Sequence, residues 1–327
     1  MQAMVLKEIG RPLVLETLPD PEPAPHEIRL KVSACGVCRT DLHVVDGELP
    51  DVRPPLIPGH EVVGRVDKVG GLVKGVELGK RMGAAWLAST CGACAYCANE
   101  MENLCDAPTF TGYTHPGGYA THVLVDARFA VTLPESGDDA ADAPLLCAGL
   151  IGWRSLVKAG DGARIGLYGF GAAAHIVLQL IRAQGREAFV FTRPGDLASQ
   201  AFARSLGATW TGGADETPPS PLDAAIIYAP VGALVPTALK AVRKGGRVVC
   251  AGIHMSDIPG FPYADLWGER EIVSVANLTR ADAKDFFAVA TRTPIKTTIT
   301  PFALNGANAA LTALRNGDLQ GAAVLIP

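Results

Sequence analysis

Short apolar runs separated by Gly, Pro and Asp fill the first 145 or so residues, with Ile28 to Ser33, Glu61 to Val69 and Tyr119 to Val125 as the clearest cases. This spacing predicts strands and loops. From about Leu150 the period changes. Arg164 to Tyr168 reads as a strand, Ala172 to Gln184 as a helix, Ala188 to Thr192 as a strand and Leu197 to Leu206 as a helix. The alternation continues with a strand at Ala224 to Tyr228, a helix from Leu234 to Val242, a turn at Lys244-Gly245-Gly246 and a strand from Arg247 to Ala251. Such a pattern predicts a parallel sheet wrapped by helices. Past Ile272 the strand signal weakens, and the tail closes with a helix at Ala307 to Arg315 and a strand at Ala322 to Ile326. The expected fold class is therefore α/β, a β-rich half joined to a doubly wound parallel sheet. No internal repeat is visible.

A length of 327 residues exceeds one ordinary core and predicts two domains. The chain is 48% apolar and 19% charged, with 36 Gly and 24 Pro, which excludes a disordered tail, a coiled coil and a collagen. Its longest apolar run, Ala224 to Pro236, is broken by Pro230 and Gly232 and falls short of the roughly 20 residues a bilayer requires. Near the N-terminus, Lys7, Glu8, Arg11 and Pro12 do not read as a secretory signal, so a cytoplasmic location is expected. Net charge is −4, with no basic block to meet a run of phosphates, and no nucleic-acid partner is expected.

In a reducing compartment the eight cysteines argue for metal ligation over disulfides. Cys91, Cys94, Cys97 and Cys105 are spaced so that four thiolates can converge on one tetrahedral zinc, and four protein ligands leave no open position, so this site is structural. The competing readings are four unrelated buried thiols, an iron–sulfur cluster and a nucleic-acid-binding ribbon. Asp106 stands where the bacterial cluster pattern wants Pro, and Glu100, Glu102 and Asp106 make the lobe acidic.

A second group is dispersed: Cys38 with Thr40, Asp41 and His43, then His60 and Glu61, then Cys147. Singly, each reads as a packed residue. Together, two thiolates and one imidazole match a catalytic zinc with a vacant fourth position, and Asp41 can accept the second ring N–H of His60. A third signal, Gly169-Phe170-Gly171-Ala172-Ala173-Ala174, lies between a predicted strand and a predicted helix, where backbone amides can meet a pyrophosphate; a tight turn with no ligand is the alternative. The following strand ends at Thr192-Arg193, which suits the phosphate of NADP better than the ribose of NAD. The alternative makes Arg193 an exposed loop residue and Asp196 the ribose partner.

In this order the three groups resemble the medium-chain, zinc-dependent alcohol dehydrogenases (the MDR superfamily), over nearly the whole chain. The resemblance implies a GroES-like catalytic domain (residues 1–147 and 273–327) interrupted by a Rossmann NAD(P)-binding domain (148–272). It implies Cys38, His60 and Cys147 as ligands of a catalytic zinc, with Glu61 beside the metal. Thr40 would take the alcohol proton and pass it through the cofactor ribose to His43, while Arg39 would meet the pyrophosphate. Cys91, Cys94, Cys97 and Cys105 correspond to the family's structural zinc lobe. Trp86, Thr40 and Leu49 would line the substrate pocket, with Ala173 behind the nicotinamide. The expected reaction is reversible hydride transfer between a primary or secondary alcohol and NAD(P), with two zinc ions per subunit, in a homodimer or homotetramer. A polyol dehydrogenase of the same superfamily and a non-catalytic cofactor-binding scaffold are the competing readings.

Two departures from the family pattern stand out. Gln320-Gly321-Ala322-Ala323 lacks an arginine that reaches the cofactor phosphates in many relatives, and Ala172 replaces a frequent glycine. Cys35 and Cys250 read as small buried apolar residues, and His26, His115, His122, His175 and His254 fit no ligand pattern.

Overall fold

A computed structural model describes residues 1–293 and 295–327. In chain order its strands are β1 Gln2–Val5, β2 Val14–Thr17, β3 Glu27–Val37, β4 Glu61–Val69, β5 Arg81–Ala84, β6 Leu87–Ser89, β7 Thr109–Phe110, β8 His122–Asp126, β9 Val131–Thr132, β10 Arg164–Tyr168, β11 Glu187–Thr192, β12 Trp210–Gly213, β13 Leu222–Ile227, β14 Val242–Cys250, β15 Glu271–Ser274, β16 Ile299–Ala303 and β17 Ala322–Ile326. The α-helices are α1 Arg39–Asp46, α2 Ala95–Ala98, α3 Asp139–Asp142, α4 Ala148–Ala159, α5 Ala172–Ala183, α6 Leu197–Ser205, α7 Leu234–Ala241, α8 Tyr263–Leu266, α9 Arg280–Ala290 and α10 Ala307–Asn316. Two compact units result: Met1–Leu150 with Asn277–Thr291 and Lys296–Pro327, and Ile151–Ala276 with Arg292–Ile295. No helix among the described residues is long and apolar enough to cross a membrane.

The first unit is built on a sheet of order β16-β17-β3-β4-β5-β9, with β8 also paired to β3. Only β16 and β17 run parallel; the other pairs are antiparallel. The longest strand, β3, pairs on one edge with β4 and on the other with β8 and β17. Its inward residues Ile28, Leu30, Val32 and Ala34 alternate with more exposed ones, the period-2 signature of a sheet that buries one face. Helix α1 follows β3 directly, and α10 packs its Ala307, Ala310 and Leu311 into the same core.

The second unit is one parallel sheet of order β12-β11-β10-β13-β14-β15. In this order sequential strands diverge to either side of the junction between β10 and β13, the doubly wound arrangement whose ligands lie beyond the strand ends. Ile165, Leu167, Ala224 to Ile227, Val248 and Val249 are wholly buried, which explains their unbroken apolar runs. Tyr168 of β10 stacks on its partner Phe191 of β11, with ring centroids 4.1 Å apart. Several elements differ from the sequence expectation. Strand β14 begins at Val242, absorbing the Lys244-Gly245-Gly246 turn as an irregularity in its pairing with β13, with Gly245 at φ +68°. Helices α1 and α9 stand where no helix is predicted.

Candidate active site and metal centres

At the end of β3 the chain turns through Cys38 into α1. Cys38 is the N-cap: its sulfur accepts from the Thr40 amide at 3.3 Å, while Asp41 Oδ2 reaches back to the Cys38 amide at 2.9 Å. This reciprocal pair satisfies helix-end donors and fixes the direction of the Cys38 side chain. The other oxygen of Asp41 lies 3.1 Å from His60 Nδ1, so one buried carboxylate aligns two candidate ligands. His60 follows Gly59, whose φ of +99° is in the left-handed region, and a Cβ there would sit 2.3 Å from the Tyr119 ring. Glycine is required at that turn.

His60 Nε2 faces Cys38 Sγ at 3.2 Å. Glu61 opens β4 opposite Gly36 of β3, and a Cβ on Gly36 would meet Glu61 Oε2 at 1.7 Å; the carboxylate lies where only glycine leaves room. Cys147 ends a 3-10 turn, Ala143–Leu146, just before α4. The ligand atoms of Cys38, His60, Glu61 and Cys147 all lie within 4.8 Å of one another. His60 and Glu61 are buried, whereas the two cysteines keep part of their surface exposed.

The electrostatics of this cluster are those of a cation site. A hydrogen bond from the Cys147 thiol, with the charge of His60, holds Cys38 well below the usual thiol range against the effect of burial. Cys147 is pushed well up, first because its thiol donates a hydrogen bond to the Cys38 sulfur and so holds its proton, and then by burial. Burial opposes charge on His60, but Cys38 and Asp41 outweigh it and raise the imidazole well above its ordinary value. Burial and the Cys38 charge raise Glu61 well above the usual carboxylate range, and its Oε2 has no hydrogen-bond partner. Crowded thiols, an imidazole and an orphaned carboxylate oxygen in a largely buried site fit a divalent cation, which would relieve each of these conflicts.

The second cysteine cluster also fits a metal. Cys91, Cys94, Cys97 and Cys105 place their sulfurs within 4.8 Å of one another. Backbone amides already aim at them: Cys94 at Cys91 Sγ (3.4 Å), and Cys91 and Ala107 at Cys105 Sγ (3.3 and 3.4 Å). Amide bonds from Cys97 and Asp106 lower Cys94 to about 6, so that thiol ionises easily, whereas burial lifts Cys105 to about 11. The buried carboxylate of Glu102 anchors the lobe to Arg280, which opens α9 and lies 4.6 Å over the Phe129 ring.

The remaining expected site residues are placed as follows. Thr40 is buried on α1, and His43 is one turn further along, its Nδ1 bonded to Glu48. Arg39 is exposed at the first turn of α1. Trp86 stands edge-on to His60, ring centroids 5.0 Å apart, and Leu49 packs against the first unit's core. Trp86 also stacks on Phe110 and Tyr113, and the Tyr113 hydroxyl donates to the carbonyl of Pro50. Phe110 and Tyr113 carry no motif, and their stacking on Trp86 joins segments that are apart in the sequence.

In the second unit Gly169 follows β10 at φ +89°, and its amide donates to Phe191 O at 2.8 Å. Gly171 caps α5 with open space over its Cα, and no side chain caps the amides of Ala172, Ala173 and Ala174. Thr192 departs from expectation. Its hydroxyl faces inward, accepting from Gln200 Nε2 at 3.1 Å and donating to the Arg193 carbonyl, so it presents nothing to a phosphate. Arg193 is exposed. Asp196 spends its carboxylate as the N-cap of α6, accepting from Ser199 at 2.9 Å.

Residues 24–135 match the family model described as the alcohol dehydrogenase GroES-like domain. A Mycobacterium tuberculosis protein described as "Probable alcohol dehydrogenase AdhA" is 49% identical over 323 residues, covering 96% of this chain and 93% of its own. The chain belongs to the medium-chain, zinc-dependent alcohol dehydrogenase family. An alcohol dehydrogenase of Moraxella sp. is 35% identical over 99% of both chains. In fold, the chain is similar to a cinnamyl alcohol dehydrogenase of Sorghum bicolor, with a TM-score of 0.91, 24% identity and coverage of 99% and 97%. The β-rich first unit and the Rossmann-type parallel sheet are the architecture expected of this family.

Proposed function

We propose that this protein is a zinc- and NAD(P)-dependent alcohol dehydrogenase, moving hydride reversibly between a primary or secondary alcohol and nicotinamide to give an aldehyde or ketone. The observation that carries the reading is the convergence of Cys38, His60, Glu61 and Cys147 in one cluster, apart from the four cysteines of the lobe. Cys38, His60 and Cys147 hold one zinc and Cys91, Cys94, Cys97 and Cys105 a second. When bound, zinc at the first cluster stabilises negative charge on the substrate oxygen and nicotinamide exchanges the hydride.

The chain's own residues do the rest. Asp41 accepts from His60 Nδ1, which leaves Nε2, the nitrogen beside Cys38, as the one that would bind the metal. Thr40 takes the alcohol proton, and His43, three residues on and so on the same helical face, carries it outward with Glu48 steadying its ring. Glu61 supplies a carboxylate beside the metal. Trp86 and Leu49 exclude water from the substrate, while Arg39 binds pyrophosphate.

The loop from Gly169 to Ala174 meets the pyrophosphate, and the turn after β11 favours NADP over NAD through Arg193 alone, since the Asp196 carboxylate is committed to its helix. The first unit, Met1–Leu150 with Asn277–Thr291 and Lys296–Pro327, is the catalytic domain, and the second, Ile151–Ala276 with Arg292–Ile295, the cofactor domain. The enzyme works in the cytoplasm as a homodimer or homotetramer. A matrix of ethanol, benzyl alcohol and sorbitol against NAD and NADP on metal-replete protein tests this reading, together with zinc per subunit. Oxidation of a simple alcohol with two zinc ions per chain is expected; preference for sorbitol, or fewer than two zinc ions, overturns it.

A further inference from the structure

The first unit buries one guanidinium completely. Arg81, at the start of β5, has no exposed surface. Its Nε donates to Asp139 Oδ1 at 2.6 Å, Nη2 to Asp142 Oδ2 at 2.8 Å and Nη1 to the carbonyl of Pro134 at 2.7 Å. Glu135 accepts from the Arg81 amide at 3.0 Å. Room for this head group depends on Gly137, where a Cβ would fall 2.4 Å from Arg81 Nη1 and 2.1 Å from Asp142 Oδ2. A buried charge with every arm engaged is costly to assemble and directional once assembled.

What it directs is the approach to Cys147. Asp139 and Asp142 are the ends of α3, and the buried turn Ala143–Leu146 carries the chain from there straight into Cys147. Two residues beyond Arg81, Gly83 leaves the space that Leu146 fills; a Cβ there would lie 2.7 Å from Leu146 Cδ1. Strand β5 thus grips the Cys147 segment at two points. Its other edge pairs with β4, Val62 opposite Ala84 and Val63 opposite Gly83, and β4 starts at Glu61, directly after His60.

We propose that Arg81 is a positioning residue for the metal centre: through Asp139 and Asp142 it sets the Cys147 sulfur in register with His60 and Cys38. This rests on the assignment of Cys147 as a ligand. Arg81 touches no ligand, so its effect passes entirely through the α3 segment.

The test compares wild type with Asp142→Asn, Arg81→Lys and Arg81→Gln in cobalt-substituted full-length protein. Readouts are metal per chain, competition with a chelator and the thiolate-to-cobalt absorption of each site; the four-cysteine lobe serves as internal control. Expected is a fall of about 10- to 100-fold in metal affinity at the first site, as is typical when support behind a ligand is lost. Its absorption band should change, the lobe should be unaltered, and Arg81→Lys should retain more than Arg81→Gln. Two results overturn the proposal: unchanged affinity and spectrum at the first site, or equal loss at both sites, which would make Arg81 a general support of the fold. Asp142→Asn keeps side-chain size and the guanidinium, so it reports even if Arg81→Gln fails to fold. A wild-type chain that binds metal only at the lobe would instead remove the ligand assignment itself.

Discussion

Replacing Asp41 by Asn changes one atom and forces a choice between two hydrogen bonds. In the native site Oδ2 accepts from the Cys38 amide at 2.9 Å and Oδ1 from His60 Nδ1 at 3.1 Å, and both Asp41 and His60 are buried. An asparagine can keep only one acceptor. If its oxygen stays on the Cys38 amide, its NH2 meets His60 Nδ1 and drives the ring proton onto Nε2, the nitrogen that faces Cys38 Sγ at 3.2 Å and must be bare to bind metal. If the amide flips, its NH2 opposes the Cys38 N–H. Either arrangement leaves a buried group mismatched, at about 1–3 kcal/mol. With 1.4 kcal/mol per tenfold change, metal affinity at this site should fall about 5- to 150-fold. Chelator competition on Asp41→Asn, with the four-cysteine lobe as control, measures it directly, and kcat/KM should fall in parallel at limiting zinc. Native affinity in a correctly folded variant would refute the argument, because it would mean that His60 does not bind through Nε2 or that Asp41 does not set its tautomer.

Gly36→Ala should destabilise the first unit by about 1–3 kcal/mol, since its Cβ would overlap Glu61 Oε2 and sit 2.9 Å from Glu61 Cβ; an unchanged denaturation midpoint would show that Glu61 swings clear. Burial alone would raise Glu102, but Arg280 outweighs it and holds the carboxyl below its usual range. A depressed carboxyl adds stability that is full above the unfolded value of about 4.3 and is lost as pH falls through the folded one. Glu102→Gln should therefore lower stability at pH 7 and flatten its acid dependence below about pH 4, in urea titrations at several pH values; an identical pH profile would contradict this. Arg193→Asp should move the NADP to NAD preference toward NAD by replacing a phosphate partner with a repelling charge, and an unaltered ratio of kcat/KM values would show that this loop does not read the cofactor. Dialysis against a strong chelator should abolish turnover, and zinc should restore it; activity that survives complete removal of metal would dismiss the proposed chemistry.

The parallel sheet was legible because its strands are buried on both faces, so Ile165 to Tyr168 and Ala224 to Ile227 carry unbroken apolar runs. Helix α1 was not. Apart from Leu42, its residues from Arg39 to Asp46 are polar or β-branched, and its cap is a cysteine, outside the residues that usually announce a helix start. The signal for α9 was present in Thr279 and Asp282, a capping box spaced three apart, but the stretch after it carries little apolar periodicity. In the site, spacing marked the cysteines, His60 and Asp41. The Trp86, Phe110 and Tyr113 stack, the Arg81 grip and the inward turn of Thr192 depend on which loops meet in space, and no local pattern encodes that. Cys147 stands out only together with Cys38 and His60, and the family resemblance implies the same role; singly it reads as a packed thiol.

Strand β17 lies between β16 and β3, pairing Leu325 with Cys35 and Ala323 with Val37, one residue short of Cys38. During synthesis, then, Ile151 to Ala276 can mature as soon as it leaves the ribosome, while the first unit waits for residues made almost 300 positions after Cys38. Until β17 is made, the edge of β3 at Cys35 and Val37, just ahead of Cys38, stays open.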